Sequence, residues 1–313
     1  MIGVGILYLI YTQVYRNSLF QDWVAGDERY LTISYDNKQY TYQENFINIL
    51  CLGIDKEEAM DIRNDEDNSV GQADAIFLVT LDTKKNAIHM ISIPRDTMVE
   101  LQMYDGNGLY AGSRKGQITL QYAYGDGMKK SADLTAKRVT ELLNYIPIHG
   151  YVAINLESLL RINDLVDGVD ITMDEDYTLL DPSFEKGTTI HLEGKKLYQY
   201  IHGRDITVRG SSYTRIHRLK QYMMAFFDKA KIILREDISV VKPLLEELEK
   251  DMIISFSDDE IMYLITEVLS SDFFEEKIYT LPGEPVRGEI YEEYYPNVLE
   301  ITELVLELYY KGI

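Results

Sequence analysis

Apolar positions along the chain fall into two periods, one of about two residues and one of about three and a half. Residues 31–42 (LTISYDNKQYTY) alternate around Asp36-Asn37-Lys38, the pattern of a β-hairpin. Residues 46–54 (FINILCLGI) form an unbroken apolar run, which predicts a strand buried on both faces. The acidic stretch 55–72 reads as a loop. Strands at 75–81 (AIFLVTL) and 87–93 (AIHMISI) follow, and Pro94, which has no N–H to donate, ends the second. Helical spacing then takes over. Residues 131–144 open at Ser131 as a cap and repeat Leu134, Val139, Leu142 and Leu143. A short strand at 151–154, a helix at 156–166 and a β-like segment at 168–173 come next. Residues 194–202 predict a helix, 203–212 a Gly-containing loop and 213–235 a long helix. The tail predicts a helix at 258–269, a strand at 277–281, a Pro/Gly turn and a last helix at 296–310. Strands interleaved with helices make the class α/β with a mixed sheet. No internal repeat or low-complexity tract is present.

Composition narrows what such a fold does. The 313 residues are 46% hydrophobic and 27% charged, values of a globular chain with a sizeable core and not of a disordered or multi-span one. Lys and Arg number 31 against 52 Asp and Glu, a net charge of −21. Such a surface repels phosphate backbones, so no nucleic acid is expected as a partner. A single cysteine, Cys51, excludes an internal disulfide and fits either the cytosol or a disulfide-free bacterial exterior. The 25 tyrosines, against 9 Phe and 1 Trp, suit amphipathic packing beneath a wet surface. Residues 2–11 (IGVGILYLIY) are almost wholly apolar, yet shorter than the roughly 20 residues of a membrane span. They also lack the basic start and cleavage site of a signal peptide. A buried helix and the outer end of a membrane anchor both remain open at this point.

Familiar catalytic devices are missing: no Gly-x-Ser-x-Gly elbow, no Walker loop and no Cys/His cluster. The five histidines have no ligand spacing. Gly125-Asp-Gly127 before Lys129, Lys130 and Ser131 follows a helix and not a strand, so it lacks the context of a phosphate loop. Two segments are more informative. In 91–97 (ISIPRDT) a buried strand delivers Arg95 and Asp96 at its carboxyl end, where ligands of open α/β sheets gather. A structural ion pair would look the same in sequence. In 202–220 (HGRDITVRGSSYTRIHRLK), Arg204, Arg209, Arg215, Arg218 and Lys220 face one acid, Asp205, a local charge of +4. Arg215 and Arg218 share a helix face, and guanidiniums so placed suit bidentate phosphate contact. Asp74 lies just before the strand 75–81. With Asp96 it could hold a hard cation such as Mg²⁺, which uses one or two carboxylates plus substrate phosphates. The residues alone therefore suggest a Mg²⁺-assisted (pyro)phosphate site.

The order of motifs resembles the LytR-CpsA-Psr family. Asn48-Ile-Leu-Cys-Leu-Gly-Ile-Asp55, Asp74-Ala-Ile-Phe-Leu-Val-Thr, Ser92-Ile-Pro-Arg-Asp-Thr97 and Tyr122-Ala-Tyr-Gly125 match in sequence. Gly150-Tyr-Val-Ala-Ile-Asn155, Asp167-Gly-Val-Asp170, Gly194-Lys-Lys-Leu-Tyr-Gln-Tyr200 and Arg215-x-x-Arg218 continue the match, from about residue 45 to 231. The resemblance implies an extracytoplasmic domain anchored to the bacterial cell membrane, with helices on both faces of a mixed sheet. It implies a polyprenyl (pyro)phosphate lipid in a pocket between sheet and helices. It also implies Mg²⁺-dependent transfer of a phosphate-linked glycopolymer from that lipid to a peptidoglycan acceptor. On that basis 1–16 is the remnant of an anchor, 17–45 a hairpin extension, 46–236 the catalytic and lipid-binding domain and 237–313 an extension packed on it. Asp74 and Asp96 match the metal positions. Arg95, Arg204, Arg215 and Arg218 match the phosphate-binding arginines, with Arg95, Asp96 and Arg204 the catalytic set.

Four positions depart from the family pattern. Gln72 and His202 stand where arginines are usual, Ser212 stands for an Asp and Leu219 for a Gln. Losing a charge-stabilising donor costs about 10²–10³ in rate. A phosphotransferase or lipid pyrophosphatase and a non-catalytic lipid-phosphate binder in wall assembly are thus both open. Either one needs an apolar tunnel, because each buried CH₂ of a polyprenyl chain contributes about 0.8 kcal/mol. The expected walls are Phe77, Val79, Met90, Met223 and Phe227, between the sheet and the helix starting near residue 213.

Overall fold

Strands form where the alternation predicts them. β1 (Thr32–Tyr35) and β2 (Lys38–Tyr42) pair as the hairpin, turning through Asp36 and Asn37 at φ of 48° and 59°. These are left-handed values that Asp and Asn tolerate. β3 (Phe46–Ile54) takes its whole apolar run, followed by β4 (Ala73–Asp82) and β5 (Ala87–Ser92). The computed structural model describes residues 18–19, 23–56, 60, 70–105, 108–203, 211–248, 250–288 and 291–313. The apolar stretch 2–11, most of the acidic stretch 55–72 and residues 204–210 lie outside them. Next come β6 (Met98–Tyr104), β7 (Tyr110–Gln117), α1 (Thr119–Ala123), α2 (Lys129–Leu142), β8 (Gly150–Asn155) and α3 (Leu156–Leu165). β9 (Val169–Thr172), β10 (Thr189–Leu192), α4 (Gly194–His202), α5 (Ser211–Glu236), α6 (Val241–Leu248) and β11 (Met252–Ile254) follow. The chain continues through α7 (Asp258–Ser270), β12 (Asp272–Thr280), β13 (Gly283–Arg287), β14 (Glu292–Pro296), α8 (Val298–Tyr309) and β15 (Tyr310–Gly312).

The central sheet has the order β11-β8-β3-β4-β5-β12. β8 runs parallel to β3 and β12 parallel to β5; the other pairs are antiparallel. The sheet is mixed, as expected. The segment 237–313 does more than pack on it: β11 and β12 are its two edges, pairing backbone that β8 and β5 would otherwise leave open. The hairpin at 32–42 is likewise tied to the tail, since β2 pairs with β15, Tyr42 opposite Tyr310. The expected cap at Ser131 shifts too. α2 begins two residues earlier, and Asp126 accepts the N–H groups of Met128 (2.8 Å) and Ser131 (3.2 Å).

Helices cover both faces. On one, Leu50, Leu52, Leu78 and Ile91 pack against Ala136 and Val139 of α2 and Ile301 and Val305 of α8. On the other, Phe77 and Met90 meet Leu197 and Tyr200 of α4 and Leu219 and Tyr222 of α5. Polar groups inside the first face are bonded to one another. Asn48 donates to the Tyr42 hydroxyl (3.0 Å) and the Pro147 carbonyl (2.6 Å) and accepts from Thr80 Oγ1 (2.8 Å).

Candidate functional site

Antiparallel pairing brings the start of β4 to the same sheet edge as the ends of β3 and β5, with Gly53 opposite Ala75 and Phe77 opposite Ser92. Asp74 therefore meets the turn after Pro94. That turn is closed by Thr97, whose N–H (3.0 Å) and hydroxyl (2.6 Å) both donate to the Pro94 carbonyl. Arg95 Nη1 pairs with Asp74 Oδ2, and Arg95 Nε lies 3.6 Å from Asp96 Oδ1. Arg215, one turn into α5, reaches the same Asp74 oxygen at 3.3 Å and donates to the Asp74 carbonyl at 2.9 Å. The sequence thus named four residues that the fold brings together: two carboxylates and two guanidiniums in charge balance, largely shielded from solvent. Two neutral groups were not anticipated. Thr119 Oγ1 donates to Asp74 Oδ1 (3.4 Å), and Gln117 Nε2 donates to Asp96 Oδ1 (3.2 Å) and the Glu292 carbonyl (2.8 Å). Neither belongs to a motif, and only the course of β7 into α1 places them here.

Behind this cluster lies an apolar cavity of about 250 Å³ with Asp74 and Arg215 in its wall. Its sheet side comes from facing positions on three paired strands: Cys51 and Gly53 of β3, Ala75 and Phe77 of β4, Val152 and Ile154 of β8. Three of those six are small. Leucines there would fill the space, as they do one residue away on the opposite face. The helix side is a stripe on α5, Arg215, Leu219, Tyr222, Met223 and Phe226, at steps of three and four residues. Burial in this wall pushes the Cys51 thiol up to about 12, so it is an inert lining group.

Phe77 and Met223 line the cavity as expected; Val79, Met90 and Phe227 do not. Val79 and Met90 pair across β4 and β5 further from Asp74, where Phe273 and Ile278 of the tail fill the space beside them. Phe227 is one residue, or about 100°, past the stripe and instead meets the Phe273 ring edge-on at 5.3 Å.

Arg218 is also placed differently. It is only 2% exposed, its Nε donates to the Tyr200 carbonyl (2.6 Å), and its Nη2 donates to the Gly203 carbonyl. The guanidinium lies over the rings of Tyr177 (5.2 Å) and Tyr200 (5.9 Å), and burial lowers its pKa. It closes the carboxyl end of α4 and does not line the cavity. Arg204 and Arg209 lie outside the described residues. Lys220 donates to Thr280 Oγ1 (2.7 Å). His202 lines the cavity, stacked on Tyr198 at 5.0 Å, and Leu219 extends its apolar wall. Gln221 accepts a hydrogen bond from the Tyr200 hydroxyl (2.6 Å), so it does not take over a role at position 219.

Among the described residues no group of three or more His, Cys, Asp or Glu could hold a metal. Asp74 and Asp96 are hard oxygen donors, but Arg95 bridges them and Arg215 shares Asp74. Two of the oxygen groups that a hard cation prefers are thus present, each engaged by a guanidinium in this structure.

The model of the LytR_cpsA_psr family matches residues 20–305. The chain belongs to the LytR-CpsA-Psr family. The match reaches well past residue 231 into the tail, in keeping with the two edge strands found there. A Bacillus cereus polyisoprenyl-teichoic acid–peptidoglycan teichoic acid transferase, TagU, is 28% identical over 215 residues, 69% of this chain. The match spans 62% of that relative's length. The Oceanobacillus iheyensis TagU is 26% identical over 84% of this chain and 75% of its own. The same fold recurs in TagT bound to LI-WTA (TM-score 0.63, 24% identity, 84% of this chain and 89% of that one). It recurs again in YwtF (TagT) with bound octaprenyl pyrophosphate lipid (TM-score 0.58, 23% identity, 84% of this chain and 90% of that one). Among the described residues no helix is long and apolar enough to cross a membrane.

Proposed function

We propose that this LytR-CpsA-Psr protein holds a polyprenyl pyrophosphate whose chain lies in the cavity and whose phosphates meet Arg95 and Arg215. On this reading it transfers the attached glycopolymer phosphate to a peptidoglycan hydroxyl. The observation that carries the reading is the joining of an apolar cavity to a balanced Arg/Asp cluster at its mouth. An amphiphile with an anionic head fits both halves, and the names of the TagU and TagT relatives agree with it.

The acceptor hydroxyl attacks the phosphorus that bears the glycan. The bond from that phosphorus to the bridging oxygen breaks, leaving polyprenyl monophosphate, and the hydroxyl proton passes to solvent or a nearby carboxylate. Arg95 and Arg215 turn from Asp74 to the phosphate oxygens and offset charge on the leaving phosphate. Asp74, released by them, and Asp96 would then hold Mg²⁺, which supplies further neutralisation of the pyrophosphate. Cation and pyrophosphate should therefore bind together and not singly. Asp74→Asn should abolish the Mg²⁺ dependence of pyrophosphate binding in calorimetry; an unchanged dependence assigns Asp74 to a strand cap. Such chemistry belongs outside the cytoplasmic membrane, with residues 1–16 as the end of an anchor.

The deciding experiment is incubation with an octaprenyl-pyrophosphate glycolipid, Mg²⁺ and peptidoglycan. Release of lipid monophosphate supports transfer. Tight lipid binding without release supports the second reading, a non-catalytic lipid-phosphate binder. His202 and Leu219 favour that reading, since they give the cavity an imidazole and an apolar wall where the family pattern has an arginine and a glutamine.

A further inference from the structure

A second concavity, of about 790 Å³, shares no lining residue with the lipid cavity. It lies between the segment around Trp23, the end of β6 and the flank of α2. Three aromatic side chains, Trp23, Tyr104 and Tyr145, contribute to it. Tyr145 is held there at a cost: it sits at φ of 61°, directly after Asn144 at 53°. Bulky residues rarely adopt this left-handed region, and such strain gathers at working sites. Its ring is fixed by stacking on Tyr30 at 4.4 Å.

Charge completes the surface. Lys130 and Lys137, seven residues apart, share one side of α2, and Lys129 borders the hollow beside them. Lys130 lies over the Tyr104 ring at 4.3 Å, while Lys129 and Lys137 make no ion pair among the described residues. Of the acids in the wall, Asp27 is already paired with Arg29 and Glu141 with Arg138. The lining as a whole sets Arg29 and three lysines against Asp27, Asp133 and Glu141, a net of +1 in this hollow on a protein of net charge −21. β6 joins the two sites. It begins two residues after Asp96 and ends at Tyr104, about 20 Å away at the rise of an extended strand.

We propose that this hollow binds an anionic saccharide chain, with sugar faces packed on the aromatic rings and phosphate or carboxylate groups against the lysines. The identity of the chain rests on the function proposed above: it is either the phosphodiester polymer being transferred or the carboxylate-bearing glycan that accepts it. A ligand about 20 Å long would span both sites.

Trp23 is the single tryptophan of the protein, so its emission reports on this hollow directly. The full chain would be titrated separately with a short hexose-phosphate phosphodiester oligomer and with a soluble disaccharide-peptide fragment of peptidoglycan. A saturable change in Trp23 emission with either probe is expected, and the responding arm identifies the source. The double variant Lys129→Glu/Lys137→Glu should weaken that binding about tenfold while octaprenyl pyrophosphate affinity, measured by calorimetry, stays unchanged. Silence in both titrations, or a response indifferent to the double variant, overturns the proposal without touching the lipid site. Loss of lipid binding in the wild-type protein would instead defeat the function on which the ligand's identity rests.

Discussion

On β3, Leu50 and Leu52 face α2 and α8 in a filled core, whereas Cys51 and Gly53, on the same strand, face α5 across a cavity. Backbone, pairing and register are shared by the two sides. What differs is side-chain volume: Cys51, Gly53 and Ala75 present little, and the opposing α5 stripe does not close the gap. A strand thus builds a packed side and a receptive side by alternating large and small residues, because successive side chains point to opposite faces. The packed side fixes the distance between the two walls of the receptive one.

That contrast can be broken from either side. Leu50→Ala removes a fully buried side chain from the filled face and should cost about 2–5 kcal/mol in urea unfolding. Cys51→Leu, next along the strand, adds volume where there is room and should change stability by less than about 1.5 kcal/mol. It should nonetheless lower octaprenyl pyrophosphate affinity by tenfold or more; equal affinity would show that the cavity is not the lipid site. At the mouth, Arg95→Ala should weaken inorganic pyrophosphate binding about 10- to 100-fold, the usual range for a charge-assisted contact, with the unfolding midpoint little moved.

Acid should attack the filled face selectively. Burial holds His89 at about 4 and His149 at about 3, below the ordinary 6.5. The unfolded chain therefore takes up more protons below that pH. The stability these neutral imidazoles carry is complete above pH 6.5 and is lost as the pH falls towards their folded values. Each contributes up to about 1.4 kcal/mol per pH unit. His89 packs edge-on against Phe46 and Tyr309 and its Nε2 has no hydrogen-bond partner, so His89→Phe should remove one proton's worth of this slope between pH 6 and 4. Unfolding curves at several pH values measure it. Leu219→Gln should cost about 1–2 kcal/mol, for placing an amide in an apolar wall. A gain in lipid monophosphate release by that variant would favour residual transferase activity over a binding-only role.

Much of this was legible where local pattern determines the outcome. β3, the β1–β2 turn and α4 follow from apolar period and turn chemistry, and Asp74, Arg95 and Asp96 from strand ends beside a proline. The β6–β7 ribbon was not, because β7 (YAGSRKGQ) is largely exposed and shows no alternation. Nor was the pairing of β12 with β5, a contact between Asp272 and Ala87 that no local signal encodes. Arg215 and Arg218 look equivalent in sequence, at i and i+3. Only the packing of α4 decides that one reaches Asp74 while the other is enclosed by Tyr177 and Tyr200.

The edge strands from the tail bear on how the protein is made. β11 and β12 close the sheet, and β15 stitches the hairpin at 32–42 to residues 310–312. During synthesis β8 and β5 can pair inwards with β3 and β4, but their outer edges stay open until residues 252–280 have emerged, so the nascent chain exposes two adhesive borders for most of its length. At roughly 5–20 residues per second the strands from 87 to 272 are separated by about 10–40 seconds. Interrupted translation would release a species prone to pair with its neighbours. The order of synthesis, as well as composition, therefore sets how long two open sheet edges are available for wrong pairing.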